Sequence, residues 1–239
     1  MNGGSMLHLI LADSEMETVP REMWGHPSVR KHADNRKKRP GNLLLDASFH
    51  HQAIRSADPM EGGRRGRPDI AHVSLLTALG SPLNRAGLLR CYLHTRNNEV
   101  FFFRHDVNIP RAYHRFAGLM ESVFQNGAAP DSESPLIWMT QGMPVVDLMG
   151  KISSGGRGPE TFLLHPDGRL RIRDLDPVFS GLRERDVIVI IGGFPEGDFL
   201  SDLSSIPVDQ RVSLGPDLYM ACSVSMEIIA QAERAADLI

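Results

Sequence analysis

Two segments of this 239-residue chain combine residue types that do chemistry at short spacing. The first is Arg64-Arg65-Gly66-Arg67-Pro68-Asp69-Ile70, a run of cationic forks beside one carboxylate at the start of an expected helix. A planar guanidinium offers two parallel hydrogen bonds to an oxyanion, so such a run suits phosphate. Asp69 can hold the Arg67 guanidinium in place and leave its remaining N–H groups for that phosphate. The competing reading of this pair is a surface salt bridge worth under ~1 kcal/mol. Downstream, Arg111 and Arg115 stand four residues apart and share one face of a helix. The second segment is Gly192-Gly193-Phe194-Pro195-Glu196-Gly197, which follows the apolar run Val187 to Ile191. Glycines after a parallel strand let a backbone approach a small ligand closely. The spacing matches neither the dinucleotide fingerprint nor a P-loop. A tight turn that needs positive φ accounts for it equally well. Ser213-Leu214-Gly215-Pro216-Asp217-Leu218 is a second late turn before a helix, and the two turns together can form two walls of one pocket. A basic face beside a glycine-lined pocket is what a nucleic-acid-modifying enzyme needs.

Other chemistries fit less well. Ser48, His50 and Asp46 suggest a hydrolytic triad, but no G-x-S-x-G elbow accompanies them. The ten histidines show no His-x-x-x-His spacing and the two cysteines no Cys-x-x-Cys, so no metal is expected. Cys91 and Cys222 read as buried, reduced thiols. No segment approaches the ~20 apolar residues of a membrane span, and no signal peptide opens the chain, so a cytoplasmic protein is expected. Residues 1–5 read as an appended leader ahead of a native start at Met6. The net charge of −3 hides an asymmetry: residues 1–118 carry 17 Lys and Arg against 11 Asp and Glu, whereas residues 119–239 carry 9 against 18. Either surface decoration is uneven or the N-terminal half faces a polyanion.

The elements that must position these residues follow from periodicity. Leu7 to Leu11 and Leu43 to Leu45 read as buried strands, with Asp46 capping the helix that follows the second. Residues 13–40 are polar and end in Arg36-Lys37-Lys38-Arg39, either a mobile basic loop, the favoured reading, or a phosphate contact. Asp69 to Leu79 is an expected helix with Pro68 just before it. Leu88 to Leu93 and Val100 to Phe103 form a hairpin through Thr95 to Asn98. Ala112 to Gln125 is amphipathic, with Tyr113, Phe116, Met120 and Val123 as its apolar stripe and Arg115 off it. Asp131 to Pro135 is a linker-like break. Phe162 to Leu164 and Leu170 to Ile172 flank a Pro166-Asp167-Gly168 turn. Val187 to Ile191 is a central parallel strand. Val212 to Leu214 is a short strand or loop, and Tyr219 to Leu238 a closing helix. The pattern is α/β, in one domain spanning residues 6–239.

Four blocks resemble one family. They are Leu43-Leu44-Leu45-Asp46 with His50-His51, and Arg65-Gly66-Arg67-Pro68-Asp69-Ile70-Ala71-His72. Then come Gly80-Ser81-Pro82-Leu83-Asn84-Arg85-Ala86-Gly87 and Ile109-Pro110-Arg111-Ala112-Tyr113-His114-Arg115-Phe116-Ala117-Gly118-Leu119-Met120. In order and spacing the chain resembles the Nep/Emg family of small-subunit ribosomal RNA pseudouridine-N1-specific methyltransferases, of the SPOUT superfamily and the archaeal type. The resemblance implies a SPOUT-type sheet with helices on both faces, a C-terminal trefoil knot, a homodimer and bound S-adenosylmethionine. It places the cofactor at Leu163, Gly192, Gly197, Ser213, Leu214, Gly215, Pro216, Asp217 and Leu218. It places RNA at Arg67, Arg111 and Arg115, with Asp69 orienting Arg67. Asn108 stands where some relatives carry a further RNA-binding arginine. The implied reaction is methyl transfer to N1 of a pseudouridine in a small-subunit rRNA stem-loop, in the service of ribosome biogenesis. No residue declares itself as a catalytic base. The alternative is a non-catalytic rRNA-binding assembly factor on the same basic face.

Overall fold

The apolar run at the N-terminus extends further than five residues. It forms β1 (Leu7–Ser14), every residue of which is buried. A computed structural model describes residues 5–153 and 158–239, so the expected leader lies outside it apart from Ser5. After β1 come helices α1 (Pro27–Arg36), α2 (Ala47–Ala57), α3 (Pro68–Leu79) and α4 (Pro82–Arg85). The strands β2 (Leu89–Thr95) and β3 (Val100–Phe103) precede α5 (Tyr113–Asn126), β4 (Ala128–Ala129), β5 (Ile137–Thr140) and α6 (Val145–Ser153). The chain continues through β6 (Glu160–Leu164), β7 (Leu170–Arg171), α7 (Asp176–Phe179), β8 (Val187–Gly192), β9 (Arg211–Ser213) and α8 (Ala221–Ala235).

The strands make one nine-stranded sheet in the order β4-β5-β3-β2-β1-β8-β6-β9-β7. Its centre is parallel: Leu7 pairs with Leu89 on one side and Val187 on the other, and Val187 in turn with Glu160. Strands buried on both faces must be apolar at every position, which is why Val187 to Ile191 reads as an unbroken run. The alternation still decides which layer each side chain joins. Leu7, Leu9, Leu11, Val187, Val189 and Ile191 enter the larger core, under α3, α5, α7 and α8. Ile10, Ala12, Ile188 and Ile190 enter a smaller one, under α6 and the Leu203–Ile206 segment. Helices therefore cover both faces, but unequally.

Several expectations change in the folded chain. Leu43 to Leu45 is not a sheet strand: it makes a single bridge, Leu44 to Thr18. Its leucines are taken up by packing, Leu43 and Leu45 going into a third cluster with α1 and α2. Of the basic stretch at 36–39, Arg36 ends α1 and Lys37 to Arg39 form the turn that follows, held by side-chain pairing. Arg36 and Lys38 both reach the buried carboxylate of Glu121 on α5, at 3.0 and 2.6 Å. Residues 131–135 join the antiparallel strands β4 and β5, so they break a hairpin and not a domain. The Leu170 to Ile172 run yields only the two-residue β7 before a 3-10 turn. The closing helix starts at Ala221, leaving Tyr219 ahead of it. Cys91 is buried, whereas Cys222 is only partly so.

Candidate functional site: a glycine-walled cavity beside a three-arginine face

The glycine segment lies at the C-terminal end of β8, where the sheet opens. Gly193 donates to the Ala12 carbonyl at 2.7 Å and accepts from the Glu15 amide, which ties the loop to the end of β1. Asp13, with a left-handed backbone (φ 51), accepts from the Leu200 and Ser201 amides and the Ser201 hydroxyl. Burial pushes the Asp13 carboxyl up, but hydrogen bonds from His94 and Ser201 outweigh it and hold the pKa below its ordinary value. Asp13 is thus an ionised clamp on the chain that leaves the loop.

Between this loop and the turn after β9 is a cavity of about 260 Å³. Gly192, Gly197, Leu214, Gly215, Asp217 and Leu218 line it. Leu163, Ser213 and Pro216 do not. Leu163 points to the opposite face of the sheet, into the smaller core, and its neighbour Leu164 lines the cavity instead. The Ser213 hydroxyl turns back to the Gly215 carbonyl and amide, at 2.8 and 3.1 Å, and so shapes the turn. Ile191, Phe194, Val212, Tyr219, Ala221 and Val224 supply an apolar wall that pattern reading overlooked. His165 and Asp198 face each other at 3.4 Å on the polar rim. Gly197 has φ +84, a conformation that favours glycine. A Cβ on Gly192 would come within 2.7 Å of the Phe194 ring. The glycines are therefore required by the turn as well as by the space in front of it.

Of the cationic run, only Arg67 keeps an exposed fork. Arg64 is buried: it donates to Glu15 at 2.6 Å and to the Asp198 carbonyl at 2.6 Å, and stacks 4.1 Å over Phe194. Arg65 is bound in a bidentate pair to Glu17 and also reaches Asp58. These two arginines are structural, because carboxylates from the end of β1 neutralise them. Arg67 makes a bidentate pair with Asp69, both bonds 2.8 Å, and that hydrogen-bonded carboxylate raises its pKa further. Its backbone amide donates to the Glu15 carbonyl. The 63–67 segment therefore runs along the 193–198 loop, and the basic face adjoins the cavity.

The starts of three helices meet on that face. Asp46 caps α2 by accepting from the Ser48 amide, and its other oxygen accepts the Tyr113 hydroxyl at the start of α5. The Ala47 amide donates to the Gly66 carbonyl just before α3, and His72 on α3 bonds the Pro110 carbonyl at 2.8 Å. Burial, then the Asp46 hydrogen bond, push the Tyr113 phenol well above its ordinary value, so it stays a donor. Arg115 lies on the solvent side of α5, opposite its core stripe, whereas Arg111 is exposed two residues ahead of the helix, so the two do not share a helix face as expected. Among the described residues neither side chain has a hydrogen-bond or ion-pair partner. Asn108 is exposed nearby. Three helix N-termini meet here, with Arg67, Arg111 and Arg115 at or beside them, and helix starts and guanidinium groups both favour an anion.

The imagined triad does not form, since His50 turns inward, away from Ser48. Its Nδ1 accepts from the Asp46 amide, so Nε2 carries the proton, donated to His32 Nδ1 at 2.9 Å. Burial, and then His32, push the His50 pKa down to about 4 from 6.5. The folded state therefore resists a proton that the unfolded chain takes up, and stability falls as pH drops from about 6.5 towards 4. Between pH 7 and pH 5 the loss from His50 is about 2 kcal/mol. Urea unfolding at the two pH values measures it. His50→Gln, less stable at pH 7, should lose less on acidification, and an equal loss in both proteins would contradict the assignment.

A family model described as EMG1/NEP1 methyltransferase matches residues 9–233. The chain belongs to that family. "Ribosomal RNA small subunit methyltransferase Nep1" of Methanothrix thermoacetophila is 45% identical, over 95% of this chain and 96% of its own. The protein of the same name from Thermococcus sibiricus is 42% identical, over 95% and 98%. The crystal structure of Archaeoglobus fulgidus Nep1 bound to S-adenosylhomocysteine superposes with a TM-score of 0.79 at 33% identity, covering 98% of this chain and 99% of that one.

Proposed function

We propose that the protein is an S-adenosylmethionine-dependent methyltransferase that modifies N1 of a pseudouridine in small-subunit rRNA, during ribosome biogenesis in the cytoplasm. The observation that carries this reading is the adjacency of the two sites, a cavity walled by Gly192, Gly197 and the 213–218 turn against a face carrying Arg67, Arg111 and Arg115. Family members named as rRNA methyltransferases, and a relative holding the demethylated cofactor, support it.

The cavity fits such a cofactor. Leu214, Ile191 and Val224 offer apolar surface for a purine, Asp217 and the exposed loop backbone offer hydrogen bonds to ribose, and Gly192 and Gly197 line the space with backbone alone. When bound, S-adenosylmethionine supplies an electrophilic methyl group. The chain's own part is positioning: placing the acceptor nitrogen in line with that methyl group replaces a bimolecular encounter with a held geometry. Arg67, Arg111 and Arg115 bind the phosphates flanking the target, so that a base splayed from a loop enters the site. Unstacking costs less in a loop than in a duplex. Asp69 fixes the Arg67 fork, and Asp69→Ala should weaken RNA binding in part, by freeing the guanidinium without removing it. An RNA affinity at or above wild type in that variant would contradict this role.

The trefoil knot, a part of this reading that rests on the family likeness, would involve the segments around β6, β8 and β9, which stand in the order β8-β6-β9 in the sheet. Tyr219, Met220 and Met226 are exposed on the single chain around the start of α8, which supports a homodimer closed over this surface. Light scattering should give about twice 26.5 kDa at micromolar concentration, and the monomer mass would refute the dimer. The catalytic reading is tested by incubating the protein with methyl-labelled S-adenosylmethionine and a stem-loop that contains pseudouridine. Label in the RNA is expected. Tight binding of both ligands without transfer would assign an assembly role alone.

A further inference from the structure

Phe49 lies on the first turn of α2, beside the junction of the three helix starts, and half of its surface is exposed (50%). A single exposed phenylalanine is common on protein surfaces. This one is backed and held. The His32 imidazole stacks on it with ring centroids 4.2 Å apart and planes 23° from parallel. His32 is itself fixed by the 2.9 Å bond to His50, whose side chain is fully buried and anchored on the Asp46 amide. Two aromatic rings are therefore stacked and pre-oriented, with part of the outer one in solvent.

The charge around the stack says what would cover it. Asp46, the N-cap immediately before this turn, connects the helix to Tyr113, the first residue of α5, which lies between Arg111 and Arg115 in sequence. The Ala47 amide touches the Gly66 carbonyl, next to Arg67. Arg36, one turn beyond His32 on α1, is held by Glu121 and adds no free charge here. An exposed aromatic ring set among phosphate-binding forks has the character of a stacking platform for an unpaired base, whose π-face it can cover whatever the base.

We infer that the Phe49–His32 stack is a nucleobase-binding site, which takes an unpaired base of the RNA loop adjacent to the nucleotide that enters the methylation cavity. This rests on the reading of the arginine face as RNA-binding. Stacking on one ring fixes the loop's register relative to the three arginines and so helps to select which base is delivered. It contributes contact without counterion release.

Stem-loops with 2-aminopurine at each loop position in turn report stacking by quenching of their fluorescence. With wild-type protein one position should be quenched. With Phe49→Leu, which keeps apolar packing on His32, that quenching should vanish and affinity fall by about 5- to 100-fold, with the salt slope unchanged. Phe49→Tyr should retain both. Calorimetric affinity for S-adenosylhomocysteine verifies the fold of each variant. Wild-type affinity in Phe49→Leu, or quenching that survives it, overturns the inference while leaving the arginine face intact. A triple Arg67, Arg111 and Arg115 to Ala variant that binds the same stem-loop as tightly as wild type overturns the RNA reading itself.

Discussion

Replacing Arg67, Arg111 and Arg115 together by alanine is expected to weaken binding to a small-subunit rRNA stem-loop by about a hundredfold. Each guanidinium contributes hydrogen bonds to a charged group worth roughly 1–3 kcal/mol, and 1.4 kcal/mol is tenfold in affinity. The three are close enough for their effects to couple, so the sum is an upper limit. The slope of log affinity against log salt should fall by about one for each phosphate contact removed. Binding of S-adenosylmethionine should stay nearly unchanged, because none of the three lines the cavity. Fluorescence anisotropy across a salt series reads both quantities. Wild-type affinity at low salt would show that this face does not hold RNA.

The second large effect is expected at the glycine wall. A valine at position 197 is forced into a backbone with φ +84, and a valine at 192 collides with the Phe194 ring. Strain of this kind costs roughly 1–3 kcal/mol per site, so each variant should lose about tenfold or more in cofactor affinity and the double variant all measurable binding. The dimer should persist, since neither glycine belongs to the exposed apolar surface of α8. Calorimetry with S-adenosylhomocysteine measures the loss, and unchanged affinity in both single variants would remove these glycines from the cofactor site.

Periodicity carried much of this architecture because parallel strands must be apolar on both faces. Val187 to Ile191 is legible for that reason, whereas the antiparallel Leu88 to Phe103 hairpin is legible from its turn residues and the stripe on α5 from helical spacing. The same rule explains an ambiguity at β6. Phe162-Leu163-Leu164 reads as one apolar block, and only the register with β8 shows that Leu164 faces the cavity and Leu163 the other core. The cationic run was less transparent. Arg64 and Arg65 look like Arg67 in sequence, but Glu15 and Glu17 reach them from the end of β1, some 50 residues earlier, and no local pattern records that pairing. Likewise Arg36 and Lys38 appear as a free basic patch until Glu121 is placed beneath them. Part of the positive charge of the N-terminal half is thus internal, and of the 64–67 run only Arg67 stays at the surface proposed to bind RNA. The Asp46–Tyr113 contact that assembles it joins residues 67 positions apart, so neither residue announces the other.

The central claim is that a base held on the arginine face presents N1 of pseudouridine to the glycine-walled cavity. Its most direct test is the identity of the methylated nucleoside. A stem-loop with a single pseudouridine is incubated with the protein and S-adenosylmethionine, digested to nucleosides, and compared by liquid chromatography and mass spectrometry with N1- and N3-methylated standards. The account predicts N1-methylpseudouridine as the sole methylated product, and none from the same loop carrying uridine. Methylation at N3, on ribose, or of the uridine loop would contradict it.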